Sequence, residues 1–229
     1  MNAIYLIKIA SCPVESIRCI RIVIMFVAVI SFATATYIRN AVWTNDITVF
    51  EDAVKKSPLN VRAHCQLGTA YFHHGLVDKS IEQYRITIKL NPDYAGGYNI
   101  LGNCYEDRGA HKKAAEMYNK AIRLRPDYAS AFYNLGVVYD ELGKFENAID
   151  AYKQAAAINK KDPQVYYNLG VAYLKFGNYY LAQDVFKKAI KLDNNFEAAY
   201  DNLIISLQKS AQSREAARWK EMKKNRFGE

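Results

Sequence analysis

The sequence predicts an all-α fold in which antiparallel helix pairs stack into a superhelix behind a single apolar helix. Three observations support this prediction. A leucine-glycine pair returns every 34 residues, a second glycine follows seven residues after that pair, and the chain from Ile22 to Ile38 contains no charged residue. The repeating residues lie at helical spacing, and the uncharged segment has the composition of a membrane-associated helix.

Each repeat begins with an apolar helix that ends at a glycine. A tyrosine lies four residues after each leucine, which is one helical turn along the same face. A glycine four residues further on can end the helix, because glycine adopts left-handed backbone angles without strain. The leucine-glycine pairs are Leu67-Gly68, Leu101-Gly102, Leu135-Gly136 and Leu169-Gly170, the tyrosines are Tyr71, Tyr105, Tyr139 and Tyr173, and the turn glycines are Gly75, Gly109, Gly143 and Gly177.

The second helix of each repeat carries a small residue and an aromatic ring on one narrow face. The small residues are Ser80, Ala114, Ala148 and Ala182, and the rings are Tyr84, Tyr118, Tyr152 and Phe186. Small residues let the two helices of a pair approach each other, and the rings fill the remaining space. One pair cannot bury this face alone, so the pairs are expected to stack.

This pattern resembles the tetratricopeptide repeat (TPR) family, whose unit has the same length. The resemblance implies a right-handed TPR superhelix with full units at 61–94, 95–128, 129–162 and 163–196. A half-repeat helix at 41–60 is expected to cap the first unit, and residues 197–229 are expected to form a degenerate repeat with a basic C-terminal cap. Where the third unit lacks its closing proline, Asp162 and Pro163 predict a helix N-cap followed by proline at the first helical position.

Composition and motifs argue against several classes of function. The formal net charge is +8, but the basic excess lies at the two ends of the chain and residues 61–208 are almost balanced. A nucleic-acid-binding protein concentrates lysine and arginine on one face, so no nucleic-acid partner is expected. The chain has no phosphate-binding glycine loop, no nucleophile motif and no set of metal ligands at matched spacing. The sequence therefore predicts no enzyme activity, no cofactor and no metal site.

The uncharged segment from Ile22 to Ile38 has three interpretations. As a helix it would be about 26 Å long, at the short end of what crosses a bilayer. A transmembrane anchor fits this length, and a cleaved signal peptide fits the sequence Ala33-Thr34-Ala35. A buried first helix is the third interpretation, but no polar stripe supports it. Basic residues precede the segment, so the positive-inside rule predicts residues 1–21 in the cytoplasm and the repeats on the other side, in a periplasm or lumen.

The junction between this segment and the repeats has a narrower resemblance. Its residues are Arg39-Asn40, Trp43, Phe50-Glu51-Asp52-Ala53 and Ser57-Pro58. They are similar to the membrane-to-TPR region of transmembrane-and-TPR-containing O-mannosyltransferases and their bacterial relatives. That resemblance implies repeats outside the cytoplasm, but the catalytic acidic residues of those enzymes have no counterpart here. An alternative function is therefore an accessory or truncated relative of a membrane O-glycosyltransferase, which presents protein substrates to a separate catalytic chain.

The TPR resemblance also implies a binding groove, because the first helix of every unit lines the concave face of such superhelices. One row along this face reads Gln66, Ile100, Asn134, Asn168 and Asn202. It resembles the asparagine row of O-GlcNAc transferases, in which side-chain amides hold a peptide backbone. An amide carries both donors and an acceptor, so it can bind a backbone without selecting its sequence. Alternatively, these amides satisfy backbone groups within the array.

Acidic and aromatic residues extend the predicted groove. Four carboxylates in neighbouring units would favour a basic segment in the ligand, and two tyrosines would serve as aromatic anchors. The predicted groove consists of Asn99, Asn103, Glu106, Asp107, Tyr133, Asn134, Asp140, Glu141, Tyr167, Asn168 and Asn202. The sequence thus predicts a non-enzymatic, membrane-anchored scaffold that binds an extended peptide or a partner helix of another protein. The array could also self-associate.

Overall fold

The computed structural model describes residues 46–228. The chain divides into two compact units, and the described part of the first unit is one helix, α1 (Asp46–Lys56), with no buried side chain. This helix lies within the predicted half-repeat at 41–60. The predicted anchor or signal segment at 22–38 lies outside the described residues. Between residues 46 and 228, no helix is long and apolar enough to cross a membrane.

The second unit, Ser57–Glu229, is helical throughout its described part, and residues 57–228 contain no strand. Its helices alternate as five consecutive pairs joined by short turns. The pairs are α2 (Val61–His73) with α3 (Val77–Leu90), α4 (Ala95–Asp107) with α5 (His111–Leu124), α6 (Ala129–Glu141) with α7 (Phe145–Ile158), α8 (Pro163–Phe176) with α9 (Tyr179–Leu192), and α10 (Glu197–Lys209) with α11 (Ser213–Phe227).

The five pairs stack in sequence order. Each helix of the second unit packs against the next helix along the chain, and the first helices of neighbouring pairs also touch: α4 contacts α6, α6 contacts α8, and α8 contacts α10. Contacts of this kind join only neighbouring pairs, as in a repeat solenoid. The prediction of an all-helical solenoid of stacked helix pairs is confirmed for the part of the chain that the structure describes.

The turn inside each of the first four pairs ends on the predicted glycine. Gly75, Gly109, Gly143 and Gly177 have φ angles of 72°, 67°, 70° and 87°. The residue after each glycine donates its N–H to the carbonyl of the repeated tyrosine, as Lys144 does to Tyr139 at 2.8 Å. This is the Schellman arrangement that closes a helix C-terminus. The glycine and the tyrosine of each repeat therefore act together in one turn.

Two departures from the repeat also have structural explanations. Asp162 accepts the N–H of Gln164 at 3.0 Å with Pro163 in the first helical turn, which confirms the predicted N-cap. In the fifth pair Ala211 takes the place of the turn glycine and adopts a φ of 61°. A left-handed conformation costs a non-glycine residue about 1 to 2 kcal/mol, so the last turn is the least favourable of the five.

Close approach within each of the first four pairs depends on a second glycine, in the middle of the first helix. A Cβ atom added to Gly102 would lie 2.5 Å from Cε1 of Tyr118, and one added to Gly170 would lie 2.5 Å from Cε1 of Phe186. Both rings are fully buried, at 0% exposure. The predicted packing of rings over small residues is confirmed. In the fifth pair Ile204 occupies the glycine position and Lys220 the ring position.

Candidate functional site

Five of the predicted groove residues lie around one pocket on the first helices of the first three pairs. The pocket has a volume of about 420 Å³ and is lined by Phe72, Asn103, Glu106, Asp107, Asn134 and Glu141. We call it the acidic pocket, because three of its six residues are carboxylates. Phe72 was not among the predicted residues, although it lies one 34-residue step before Glu106 and could have been found by that spacing.

A tyrosine from the second helix of its pair joins two residues of the acidic pocket. The hydroxyl of Tyr118 lies 2.8 Å from Oδ1 of Asn103 and 2.6 Å from Oε2 of Glu106. One hydroxyl hydrogen cannot serve both acceptors at once. The Tyr118 hydroxyl therefore donates either to the Glu106 carboxylate or to the Asn103 amide oxygen, one at a time.

The electrostatic surroundings of Glu106 raise its pKa overall. Burial raises the pKa of Glu106 above its ordinary value, the Tyr118 hydroxyl lowers it in part, and the nearby Glu141 raises it again. Burial acts in this direction because a carboxylate loses hydration inside the protein. The acidic pocket therefore contains one carboxyl group that holds its proton to a higher pH than an exposed glutamate does.

Replacing Glu106 with glutamine is expected to flatten the dependence of stability on pH. A raised pKa in the folded state means that the folded protein binds more protons, so the contribution of Glu106 to stability is greatest at low pH and declines as pH rises through the folded pKa. Urea unfolding between about pH 4.5 and about pH 7 would measure this decline. We expect the E106Q variant to decline less than the wild type, and the exposed-site control E116Q to follow the wild type. Parallel pH profiles for E106Q and the wild type would contradict the expectation.

The row of asparagines forms hydrogen bonds between neighbouring pairs. Nδ2 of Asn168 donates to the hydroxyl of Tyr133 at 2.8 Å, and Nδ2 of Asn202 donates to the hydroxyl of Tyr167 at 3.0 Å. Nδ2 of Asn134 donates to Oδ1 of Asn103 at 2.9 Å. These amides thus bind side chains of the preceding pair and not the backbone. Since each tyrosine hydroxyl accepts a hydrogen bond, its own hydrogen is left to donate.

Three predicted residues have surroundings that the sequence did not indicate. Asn99 is only 6% exposed, and its Oδ1 atom has no hydrogen-bond partner in residues 46–228. Asp140 forms an ion pair with Lys175 of the following pair, and Glu141 lies 2.9 Å from Nδ1 of His111. Asn99 is therefore a core residue and not a surface of the groove, and Asp140 is already neutralised by a lysine.

Tyr94 contributes to the packing around the start of α4, the helix that carries Asn99. Gly96 lies at the start of α4, and a Cβ atom there would be 2.9 Å from Cζ of Tyr94. The Tyr94 hydroxyl reaches across to Sγ of Cys65, 3.7 Å away in the preceding pair. Tyr94 therefore packs closely against the beginning of α4.

Within the described part of the chain, no group of three or more His, Cys, Asp or Glu side chains is placed to hold a metal ion.

Comparison with protein families identifies the repeats directly. A model described as TPR repeat matches residues 102–143 and 139–177, and models described as tetratricopeptide repeat match residues 47–95 and 163–196. No match was found among curated protein sequences.

Solved structures with the same architecture give the same result. A crystal structure of MamA is 32% identical and has a TM-score of 0.62, with 65% of this chain and 86% of that chain covered. YrrB, described as a TPR protein with an unusual peptide-binding site, is 18% identical with a TM-score of 0.69 and coverages of 79% and 93%. TTC0263, a thermophilic TPR protein of Thermus thermophilus, is 26% identical with a TM-score of 0.55 and coverages of 71% and 89%.

The matched residues extend over most of the helical pairs, and the aligned structures cover most of their own length. Proteins of this architecture act as scaffolds for protein interaction and are typically not catalysts. The chain therefore belongs to the tetratricopeptide repeat proteins.

Proposed function

We propose that this array binds an extended peptide or a partner helix along the groove of its first helices, and that a basic side chain of the ligand enters the acidic pocket. The observation that carries this proposal is the composition of that pocket. Glu106, Asp107 and Glu141 share it with the ring of Phe72. Glu141 lies 2.9 Å from Nδ1 of His111, and within residues 46–228 no lysine or arginine forms an ion pair with any of the three carboxylates.

An arginine or lysine side chain fits this combination of groups. Its charge would pair with the carboxylates, and its apolar stem or guanidinium plane would lie against the Phe72 ring. The exposed Asp107 is the natural first contact, because it forms no hydrogen bond or ion pair within the described residues. Asn103 and Asn134 also line the pocket and form a hydrogen bond with each other. Their remaining amide donors and acceptors can bind the backbone of the ligand.

The relatives support the general function and leave the ligand open. YrrB is described as having a peptide-binding site, but at 18% identity the likeness supports the fold alone. The ligand chemistry that we propose therefore rests on the residues of the acidic pocket in this chain.

Replacing Asp107 with lysine is expected to weaken binding of a basic peptide about tenfold, because a repulsive charge replaces an attractive one at the mouth of the pocket. The probe is a fluorescein-labelled peptide of alanine and serine with a central Arg-Lys pair. Fluorescence anisotropy at low and high salt would measure its Kd. The same peptide with Glu-Glu in place of Arg-Lys should bind at least tenfold more weakly to the wild type.

The matched control is Asp127→Lys, which makes the same change of charge at an exposed turn between the second and third pairs. Asp127 does not line the acidic pocket. If D127K weakens binding as much as D107K does, the effect comes from net charge, and the pocket is not the binding site. Equal binding of the two peptides by the wild type would also contradict the proposal.

We further propose that residues 22–38 anchor the array to a membrane, with the repeats on the non-cytoplasmic side. The uncharged composition of the segment and the basic residues before it support this location. Protease treatment of sealed vesicles would test this orientation. If the protease results place the repeats on the cytoplasmic side of the membrane, the proposed orientation is wrong.

The alternative role beside a membrane O-glycosyltransferase gains no support from the relatives above. Arg39, Asn40 and Trp43 of the junction lie outside the described residues.

A further inference from the structure

Three apolar side chains lie exposed together around the turn of the fourth pair. Phe176 is 50% exposed, Tyr180 is 65% exposed and Leu181 is 42% exposed. Phe176 ends α8, and the other two lie in the first turn of α9. We call these residues the turn patch. Single exposed apolar residues are ordinary on protein surfaces, but adjacent ones at one turn are typical of interaction sites.

The repeat itself shows that the fold does not require this patch. The positions that correspond to Phe176, Tyr180 and Leu181 can be read in the other pairs by steps of 34 residues. They are His74, Asp78 and Lys79 in the first pair, Arg108, Lys112 and Lys113 in the second, Leu142, Glu146 and Asn147 in the third, and Ser210, Arg214 and Glu215 in the fifth. Only Leu142 is apolar among these twelve. Because three pairs fold with polar residues at all three positions and the third pair has only one apolar residue there, the fourth pair carries its apolar residues for another reason.

The turn patch borders a groove between α7 of the third pair and the turn of the fourth. This groove has a volume of about 510 Å³ and is lined by Glu146, Asn147, Ile149, Asp150, Lys153, Tyr173, Phe176, Asn178 and Leu181. The lining residues of α7 extend from Glu146 to Lys153, which is about two helical turns or about 10 Å. None of them lines the acidic pocket. The groove is therefore a second surface, separate from the predicted binding groove.

The charges of this second groove indicate what it would accept. Phe176 and Leu181 supply its reachable apolar surface, since the other apolar lining residues, Ile149 and Tyr173, are buried at 5% and 7% exposure. Glu146 and Asp150 are exposed on its rim. Lys153 offsets them only in part, because its Nζ atom lies 3.9 Å from Asp150 and 5.7 Å from the centre of the Tyr173 ring. The rim thus keeps a negative balance beside apolar side chains.

We infer that this groove binds a short amphipathic helix of a partner protein, with two apolar residues one turn apart and lysine or arginine beside them. The apolar residues would cover Phe176 and Leu181, and the basic residues would face Glu146 and Asp150. A ligand of about two to three turns matches the length of the groove. This surface makes the fourth pair different from the others and lets the array hold two ligands at once.

The experiment uses a 14-residue acetylated and amidated alanine-based peptide with leucines at helical spacing and lysines on the flanking positions. Its counterpart has glutamate in place of every lysine. We expect the wild-type chain to bind the lysine peptide at least tenfold more tightly than the glutamate peptide, as measured by fluorescence anisotropy. The F176S/L181S variant should lose at least tenfold in affinity for the lysine peptide. The control L192S, a similarly exposed leucine at the other end of α9, should bind as the wild type does.

A charge exchange makes the test independent of how the serine variants fold. The E146K/D150K variant should prefer the glutamate peptide over the lysine peptide, and D127K, whose exposed site lines neither groove, should leave the binding of the lysine peptide unchanged. Equal binding of both peptides by the wild type, or unchanged binding by F176S/L181S, would overturn the inference. A loss of binding in D127K as large as that in F176S/L181S would instead show that net charge holds the peptide, and would overturn the inference as well.

Discussion

Replacing Gly136 with alanine is expected to lower the free energy of unfolding by about 2 kcal/mol. The added Cβ atom would lie 2.6 Å from Cε1 and 2.7 Å from Cδ1 of Tyr152. Tyr152 is 2% exposed, so its ring has no free space into which to move. Alanine favours the helix by about 1 kcal/mol over glycine, and the clash is expected to exceed that gain.

Urea unfolding followed by circular dichroism would measure this loss. The control is Gly143→Ala, where a Cβ atom would meet nothing within 4 Å but the φ angle is +70°. The control isolates the backbone cost of about 1 kcal/mol from the packing cost. Combining G136A with Tyr152→Leu should show a coupling between the two sites, because the second change removes the ring that the new Cβ atom meets. A G136A variant as stable as the wild type would mean that helix pairs tolerate a wider separation than the packing implies.

The fold could be predicted from the sequence because the first four repeats carry the same residues at the same spacing. Leucine, glycine and tyrosine at constant spacing identify the face of each helix, and the turn glycines identify where each helix ends. Ala211 is a position whose backbone conformation could not be predicted from the repeat pattern. Nothing in its side chain favours a left-handed conformation, and the neighbouring helices of the fifth pair impose the φ of 61°.

The candidate site was harder to predict from the sequence, because its side-chain contacts join residues of neighbouring helix pairs. Asn168 bonds Tyr133 and Lys175 pairs with Asp140, and in both cases the partner lies 35 residues away. A face assigned within one helix does not show which neighbour a side chain reaches in the adjacent pair. The pocket position of Phe72 could have been found by repeat spacing, whereas the positions 34 residues from Asn99, at Cys65 and Tyr133, are only partly buried and do not indicate its burial.

The largest loss of stability is expected for Phe186→Ala, at about 3 to 5 kcal/mol. Phe186 is fully buried, its ring covers Gly170, and its centre lies 6.0 Å from the centre of the Tyr167 ring. The truncation removes a buried aromatic side chain and leaves a cavity that the helices of one pair cannot close. The control is Tyr180→Ala in the same helix, which is 65% exposed and should change stability by no more than about 0.5 kcal/mol.

The effect of Phe186→Ala should also reach the neighbouring pair. Tyr167 packs against Phe186 and accepts the hydrogen bond of Asn202, so the cavity loosens a contact between the fourth and fifth pairs. Because a solenoid is held together by its nearest-neighbour interfaces, a weakened interface can let its pairs unfold separately. We therefore expect F186A to unfold with a smaller m-value or in two steps, whereas Y180A keeps a single transition. A single transition with the wild-type m-value for F186A would mean that the fourth pair unfolds as one unit with its neighbours even without this ring.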